Sequence, residues 1–342
     1  MKKPYRTPME HSDTSSLTKR YHYVPQFYLA YFLPDTKTGA KTFWVYDKDG
    51  GHPRPQTPIN TAVESGFYSF ESAPGTSDDV LERKVFGPIE QAAKPILDQW
   101  QTPGARLQPQ DVPRMAAFLA FMHTRVPRAV QMVKEINEAA AVQINKDLAK
   151  DPDRLRALYE RYKKTATDKV PSFEEIQESL LKFEENYEVE ADSKAALIQS
   201  IEVAGPICDV LLKMHWCLCT APRGQFFITG DTPLTVFAQM NKRQAIFSGL
   251  GLPQAEVSFP VSPTVCLFLN RRRPQRYRRV SEQFVRKINR KTAWMAERYV
   301  ISTRQTKAVA AWVAEAALTR GMPKVDPAVI GKRFKGLAQK GT

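Results

Sequence analysis

The sequence predicts an α+β fold: a helical middle region with a mixed or antiparallel sheet built from N-terminal and C-terminal strands. Three observations carry this expectation. Short aromatic and β-branched runs bounded by turn residues lie before residue 71 and after residue 214. Long helix-forming stretches fill the space between them. Strands and helices are thus segregated rather than alternating, which argues against a regular βαβ series. With 342 residues, the chain is long enough to bury a full core.

The elements follow in order. Residues 1–18 are polar and turn-rich and read as a flexible lead-in. From Lys19 the run KRYHYVPQFYLAYFL suggests a strand or turn entering a short helix. Thr42–Asp47 (TFWVYD) reads as a strand and Asp49-Gly50-Gly51 as a tight turn. Glu64–Phe70 (ESGFYSF) suggests another short strand. Ser77-Asp78-Asp79 offers an N-cap for the helix DVLERKVFGPIEQAAKPILDQW, disturbed at Gly87-Pro88 and at Pro95. A second helix from about Pro109 should kink or break at Pro127, since proline lacks the N–H and clashes with the preceding turn. Residues 150–192 are strongly charged and read as solvated helices joined at Pro171. The helix KAALIQSIEVAGPICDVLLK then leads into candidate strands 215–221, 225–230 and 264–270. A helix over SEQFVRKINRKTAWMAE precedes the strand RYVIST. Residues 19–303 form one α+β domain with a helical insertion at about 110–192, and 304–342 a short helix and basic tail.

Charge is the most informative bulk property. Lys and Arg total 50 against 36 Asp and Glu, a net charge of +14. Residues 1–200 are close to neutral, whereas residues 201–342 carry 23 basic and 8 acidic side chains. Ten of those cations fall within 21 residues: Arg271, Arg272, Arg273, Arg276, Arg278, Arg279, Arg286, Lys287, Arg290 and Lys291. Such a field attracts polyanions by neutralising phosphates and releasing counterions. Interleaved Tyr277 and Phe284 suit backbone gripping with base stacking. The segment is therefore read as a nucleic-acid-binding surface for DNA or RNA. The plainer alternatives are a solvated basic face or a patch for an acidic protein partner.

Several classes are disfavoured. The chain has no P-loop, no G-x-G-x-x-G, no G-x-S-x-G and no H-E-x-x-H. The four cysteines form no C-x-x-C pair and no spaced zinc set; Cys217 and Cys219 read as buried small hydrophobes. No apolar run approaches the roughly 20 residues that span a bilayer, and no secretory signal opens the chain. A reduced, cytoplasmic protein without a membrane partner is the expectation.

Seven residues are candidates for chemistry: His22, Gln26, Asp231, Glu82, Glu90, Arg125 and Arg128. His22, set among aromatics with Gln26 nearby, is a general base or metal ligand, or else a core histidine donating to a carbonyl. Asp231, on a Gly-Asp turn after an apolar strand, is a catalytic or metal-binding acid, or else an Asx-turn satisfying nearby amides. Glu82 and Glu90 project to nearly the same helical face about 12 Å apart along the axis. Either joins Asp231 or His22 in an oxygen-rich Mg²⁺ or Mn²⁺ site, or else both are surface acids. Arg125 and Arg128 flank Pro127; they grip a phosphate, or they pair with Glu82 or Glu90 across two helices.

These motifs together resemble a bacterial family, domain of unknown function 4238. The likeness rests on the opening His22-Tyr23-Val24-Pro25-Gln26-Phe27-Tyr28-Leu29, on Phe67–Phe70, and on Glu82 and Glu90. It continues through the R-x-P-R turn Arg125–Arg128, Phe227–Leu234 (FITGDTPL), and the helix around Asn289 before RYVIS. It spans roughly residues 20–303. Tyr23 stands where many members carry a second histidine, which argues against a two-histidine metal site. The resemblance implies a bacterial or phage-related origin and a cytoplasmic setting, and it supplies no activity.

The leading expectation is a metal-dependent nuclease or phosphodiesterase, with a toxin or phage-defence effector as a natural setting. In it Asp231 and Glu82 or Glu90 hold Mg²⁺ or Mn²⁺, His22 moves a proton, and Arg125 or Arg128 neutralises the phosphorane. The alternative is a non-enzymatic nucleic-acid-binding or regulatory protein using residues 271–291.

Overall fold

Strands from the two ends of the chain meet in one sheet. The computed structural model describes residues 20–34, 39–68, 70–73, 76–78, 81–183, 187–238, 249–272 and 277–318. The lead-in 1–18, Asp79, and the tail beyond 318 lie outside the described residues. In chain order the strands are β1 (Arg20–His22), β2 (Phe43–Asp47), β3 (Arg54–Gln56), β4 (Val63–Ser65), β5 (Phe70–Ala73), β6 (Thr76–Asp78), β7 (His215–Thr220), β8 (Thr229–Gly230), β9 (Thr235–Ala238), β10 (Ala255–Pro260), β11 (Val265–Asn270), β12 (Tyr277–Arg279) and β13 (Tyr299–Ser302). The helices are α1 (Gln26–Ala30), α2 (Gly87–Trp100), α3 (Val112–Thr124), α4 (Pro127–Ala149), α5 (Pro152–Thr165), α6 (Phe173–Leu181), α7 (Ser193–Glu202), α8 (Ala204–Leu212), α9 (Glu282–Met295) and α10 (Lys307–Leu318).

One four-stranded sheet runs β3-β2-β13-β8, with Val300 opposite both Tyr46 and Gly230. A five-stranded sheet runs β12-β7-β11-β10-β9, antiparallel except for the parallel β12–β7 pair. The architecture is therefore α+β, with helices in the middle and sheets drawn from both ends.

Local structure follows from the residues. Gly50 and Gly51 take positive φ between β2 and β3, as the turn reading requires. Pro127 opens α4 after a break at Arg125-Val126, because proline suits a first helical turn and not an interior one. Other expectations are corrected. Of the stretch 64–70, Glu64 and Ser65 end β4, Gly66–Tyr68 form a turn and Phe70 starts β5. Asp78 belongs to β6, residues 79 and 80 lie outside the described residues, and the described helix starts at Leu81 with a π-helical turn, Leu81–Phe86. Pro88 has no N–H to give the α-helical bond, which favours the wider winding just before it.

Contrary to the sequence expectation, the stretch Ser193–Leu212 is 20 residues long and contains an 18-residue window of mean hydropathy 1.5, enough by length and composition to cross a membrane. It breaks at Val203 into α7 and α8 and turns Ala196, Leu197, Ala204 and Leu211 to the interior.

The main core joins α1 to α2, α3 and the five-stranded sheet through Tyr28, Phe32, Trp100, Phe118 and Phe259. A smaller cluster lies between the four-stranded sheet and α10 around Ile228, Val300, Val309 and Val313. Cys217, Cys219 and Cys266 pack with Phe227 and Ile288 as free thiols, filling core space as small hydrophobes.

Candidate functional site

β1, the start of α1 and the π-helical turn surround an open cavity of about 490 Å³. Its walls carry His22, Gln26, Glu82, Glu90 and Arg20, with Phe27 and Pro25 as apolar sides. Four of the sequence-predicted residues, up to 68 positions apart in the chain, thus share one pocket. The wide π winding followed by α2 brings Glu82 and Glu90 to it together, and Gly87 keeps the turn tight: a Cβ there would sit 3.1 Å from the Glu82 carbonyl.

His22 is held from both sides. Its Nε2 lies 3.0 Å from the Ile59 carbonyl, which can only accept, so Nε2 carries the proton. Nδ1 then presents a lone pair to Gln26 Nε2 at 3.3 Å. Burial lowers the His22 pKa, against the opposing pull of the Ile59 carbonyl, so the ring is neutral at pH 7. The backbone beside it is unusual. Ala62, whose carbonyl accepts the Tyr23 N–H, has φ of 52°, a left-handed conformation costing about 1–2 kcal/mol for a non-glycine residue.

Arg125 lies under this pocket rather than in it. Its side chain is 2% exposed, pairs with Glu90 at 2.6 Å, donates to the Tyr23 carbonyl at 3.1 Å and sits 5.0 Å from the Phe86 ring centre. This is the helix-pairing alternative of the sequence reading, not the phosphate grip. Arg128 is likewise turned inward, 3.5 Å from Glu297 and 5.8 Å from the Trp294 ring centre.

Asp231 does not line the pocket of the two glutamates. It is 2% exposed, and its carboxylate accepts N–H bonds from Glu297 (2.8 Å), Arg298 and Tyr299 (both 2.7 Å). Its own N–H donates to the Tyr299 carbonyl. Burial pushes its pKa up to about 6, while the three amides pull it back toward the charged form. The residue latches β8 to the start of β13. Gly230 is needed for the same approach, since a Cβ would meet the Tyr299 carbonyl oxygen at 2.8 Å. The expected pairing of Asp231 with Glu82 or Glu90 around one metal is corrected accordingly. Its oxygens are occupied by backbone amides, and it does not line the pocket.

The rest of that motif is also structural. Tyr28 OH donates to the Pro260 carbonyl at 2.8 Å, so Thr229 Oγ1 donates to Tyr28 at 2.7 Å. Asn289 accepts from Ile228 N–H and donates to the Phe226 carbonyl, pinning α9 to the same strand entry.

The basic segment is partly tied down. Lys287 and Lys291 share Glu256 at 3.2 and 3.1 Å, Arg286 pairs with Glu282, and Arg290 with Glu315. Arg271 donates to the Leu250 carbonyl, and Arg278 lies 5.8 Å from the Phe284 ring centre. Arg272, Arg278, Arg279, Arg286, Lys287 and Arg290 are exposed. Arg273 and Arg276 lie outside the described residues.

A charged pocket residue escaped the sequence reading. Arg20 is its cation, held at 3.3–3.4 Å by Asn60 Oδ1. The signal was present, because Arg20 stands two residues before His22 on the same short strand.

Fold and pocket together define a mixed α+β protein with a polar cleft built on its opening motif. The chain belongs to the family described as protein of unknown function DUF4238, whose model matches residues 20–306. No curated protein and no solved structure matches the chain.

Proposed function

We propose that the protein is a metal-dependent phosphodiesterase acting on nucleic acid, with its centre in the pocket of His22, Gln26, Glu82 and Glu90. The convergence of these four residues on one open cavity carries the reading. Among the described residues no three His, Cys, Asp or Glu side chains form a ready metal cage. Mg²⁺ needs none: it commonly takes one or two carboxylates and completes its shell with water and substrate phosphate oxygens. Glu82 and Glu90 are the two carboxylates for that role. The ion would supply charge neutralisation at the phosphate.

The chain's own residues account for the remaining needs. Neutral His22 offers Nδ1 as a base for an attacking water, and the long Gln26 contact yields easily to it. The Ile59 carbonyl fixes the tautomer and steadies the ring once it is charged. Arg20 offsets phosphate charge at the rim. Arg125 holds Glu90 in place, a positioning role. The exposed cations of 271–291 would hold the strand outside the site.

The test is incubation of the protein with labelled single- and double-stranded DNA and RNA in Mg²⁺, Mn²⁺ or EDTA. Metal-dependent cleavage supports the reading. Salt-sensitive binding without cleavage favours the second reading, a non-enzymatic nucleic-acid-binding module.

A further inference from the structure

A second cavity, of about 410 Å³, lies between α9, the start of α10 and the chain entering β8. Its size falls in the range of small-molecule sites. Phe226 and Trp312 give it half-buried aromatic surface, and Arg286 and Arg290 give it two guanidiniums. The two arginines are four residues apart on α9 and therefore neighbours on one helical face. Asn289, between them, is buried and fixes the Phe226 backbone through its amide. The Arg304 guanidinium lies 5.5 Å from the Phe226 ring centre.

We propose that this cavity binds a nucleoside monophosphate, its base against Phe226 and Trp312 and its phosphate between Arg286 and Arg290. Aromatic faces accept any base by stacking, and paired guanidiniums match a phosphate dianion. A purely apolar ligand would leave both charges unused, and a small carboxylate would leave the aromatic surface unused. The present partners of the arginines do not block the site. Glu282 and Glu315 are about half exposed or more, as are the arginines, and exposed ion pairs of this kind exchange readily with water. The cavity shares no lining residue with the His22 pocket, so the proposal stands whether or not the protein cleaves nucleic acid.

Isothermal titration calorimetry of the full chain with AMP, UMP, adenosine and inorganic phosphate tests it. Saturable one-to-one binding of AMP and UMP is expected, with adenosine and phosphate each at least about tenfold weaker. Arg286→Ala with Arg290→Ala should weaken AMP by at least about tenfold while leaving the melting temperature unchanged, because both side chains are exposed. Glu82→Gln should bind AMP like the wild type. Three outcomes overturn the proposal: no saturable binding of either nucleotide, binding indifferent to the double substitution, or binding lost in Glu82→Gln alone.

Discussion

Arg125 and Glu90 form an ion pair 2.6 Å long directly beneath the His22 pocket, with the arginine side chain only 2% exposed. The guanidinium spends its remaining contacts on the Tyr23 carbonyl and the Phe86 face, and Tyr68 OH closes the Arg125 carbonyl at 2.8 Å. The pocket therefore rests on a desolvated charge whose partner is one of its own walls.

Removing one member of such a pair leaves the other uncompensated. Arg125→Ala should cost about 3–5 kcal/mol of stability. Arg125→Lys should recover only part, because an ammonium cannot reproduce the guanidinium's fork. Urea denaturation measures both. A phosphate-gripping Arg125 would instead lose activity with little change in the unfolding midpoint.

Asp231 should behave as a latch. Asp231→Asn leaves one acceptor oxygen for three backbone donors and turns an NH₂ toward them, which should cost about 2–4 kcal/mol. Gly230→Ala should cost about 1–3 kcal/mol by forcing the Tyr299 carbonyl away. Thermal melts read both, and activity per folded molecule should persist in Asp231→Asn.

His123 gives the fold a pH dependence. Its Nδ1 is enclosed with no hydrogen-bond partner among the described residues, and burial with the nearby Arg128 charge lowers its pKa to about 4. Between about pH 6.5 and 4 the unfolded chain holds a proton that the folded chain lacks, so stability is lost as pH falls through that window. The loss is up to about 3 kcal/mol. Asp231, with its raised pKa, acts in the opposite direction between about pH 4 and 6. The His123 share is therefore read as the difference between wild type and His123→Phe in denaturant titrations across this range. Equal pH profiles for the two would refute it.

Exposed cations should set the salt response. Replacing Arg272 and Arg279 with Ala should reduce the slope of log affinity against log salt by about 1–2 on labelled nucleic acid. Lys291, half-buried against Glu256 and 4.3 Å from the Phe237 ring centre, should matter more for stability than for that slope.

Much of this was legible in the residues. The Pro127 break, the turn at Gly50-Gly51 and the free core cysteines followed from local chemistry. The eight-residue spacing of Glu82 and Glu90 was read on a regular α-helix, whereas Glu82 lies in the π-helical turn Leu81–Phe86 and Glu90 in α2. What was not legible depended on distant partners. β10 ends in Pro260 and follows a Gly-Leu-Pro loop, so it reads as irregular until β9 and β11 pair with both its edges. The charge count of 271–291 was visible, but Glu256 and Glu315 come from other elements. Asp231 looked equally like an acid and an Asx-turn, and the choice rested on where residues 297–299 returned to it.

The most direct test is the metal-dependent cleavage rate of Glu82→Gln beside the wild type, with melting temperatures measured on the same samples. The account predicts a loss of at least about 100-fold in rate, with melting temperatures within a few degrees of each other. Wild-type protein inert toward every substrate and metal, or a Glu82→Gln variant that cleaves like the wild type, would contradict it.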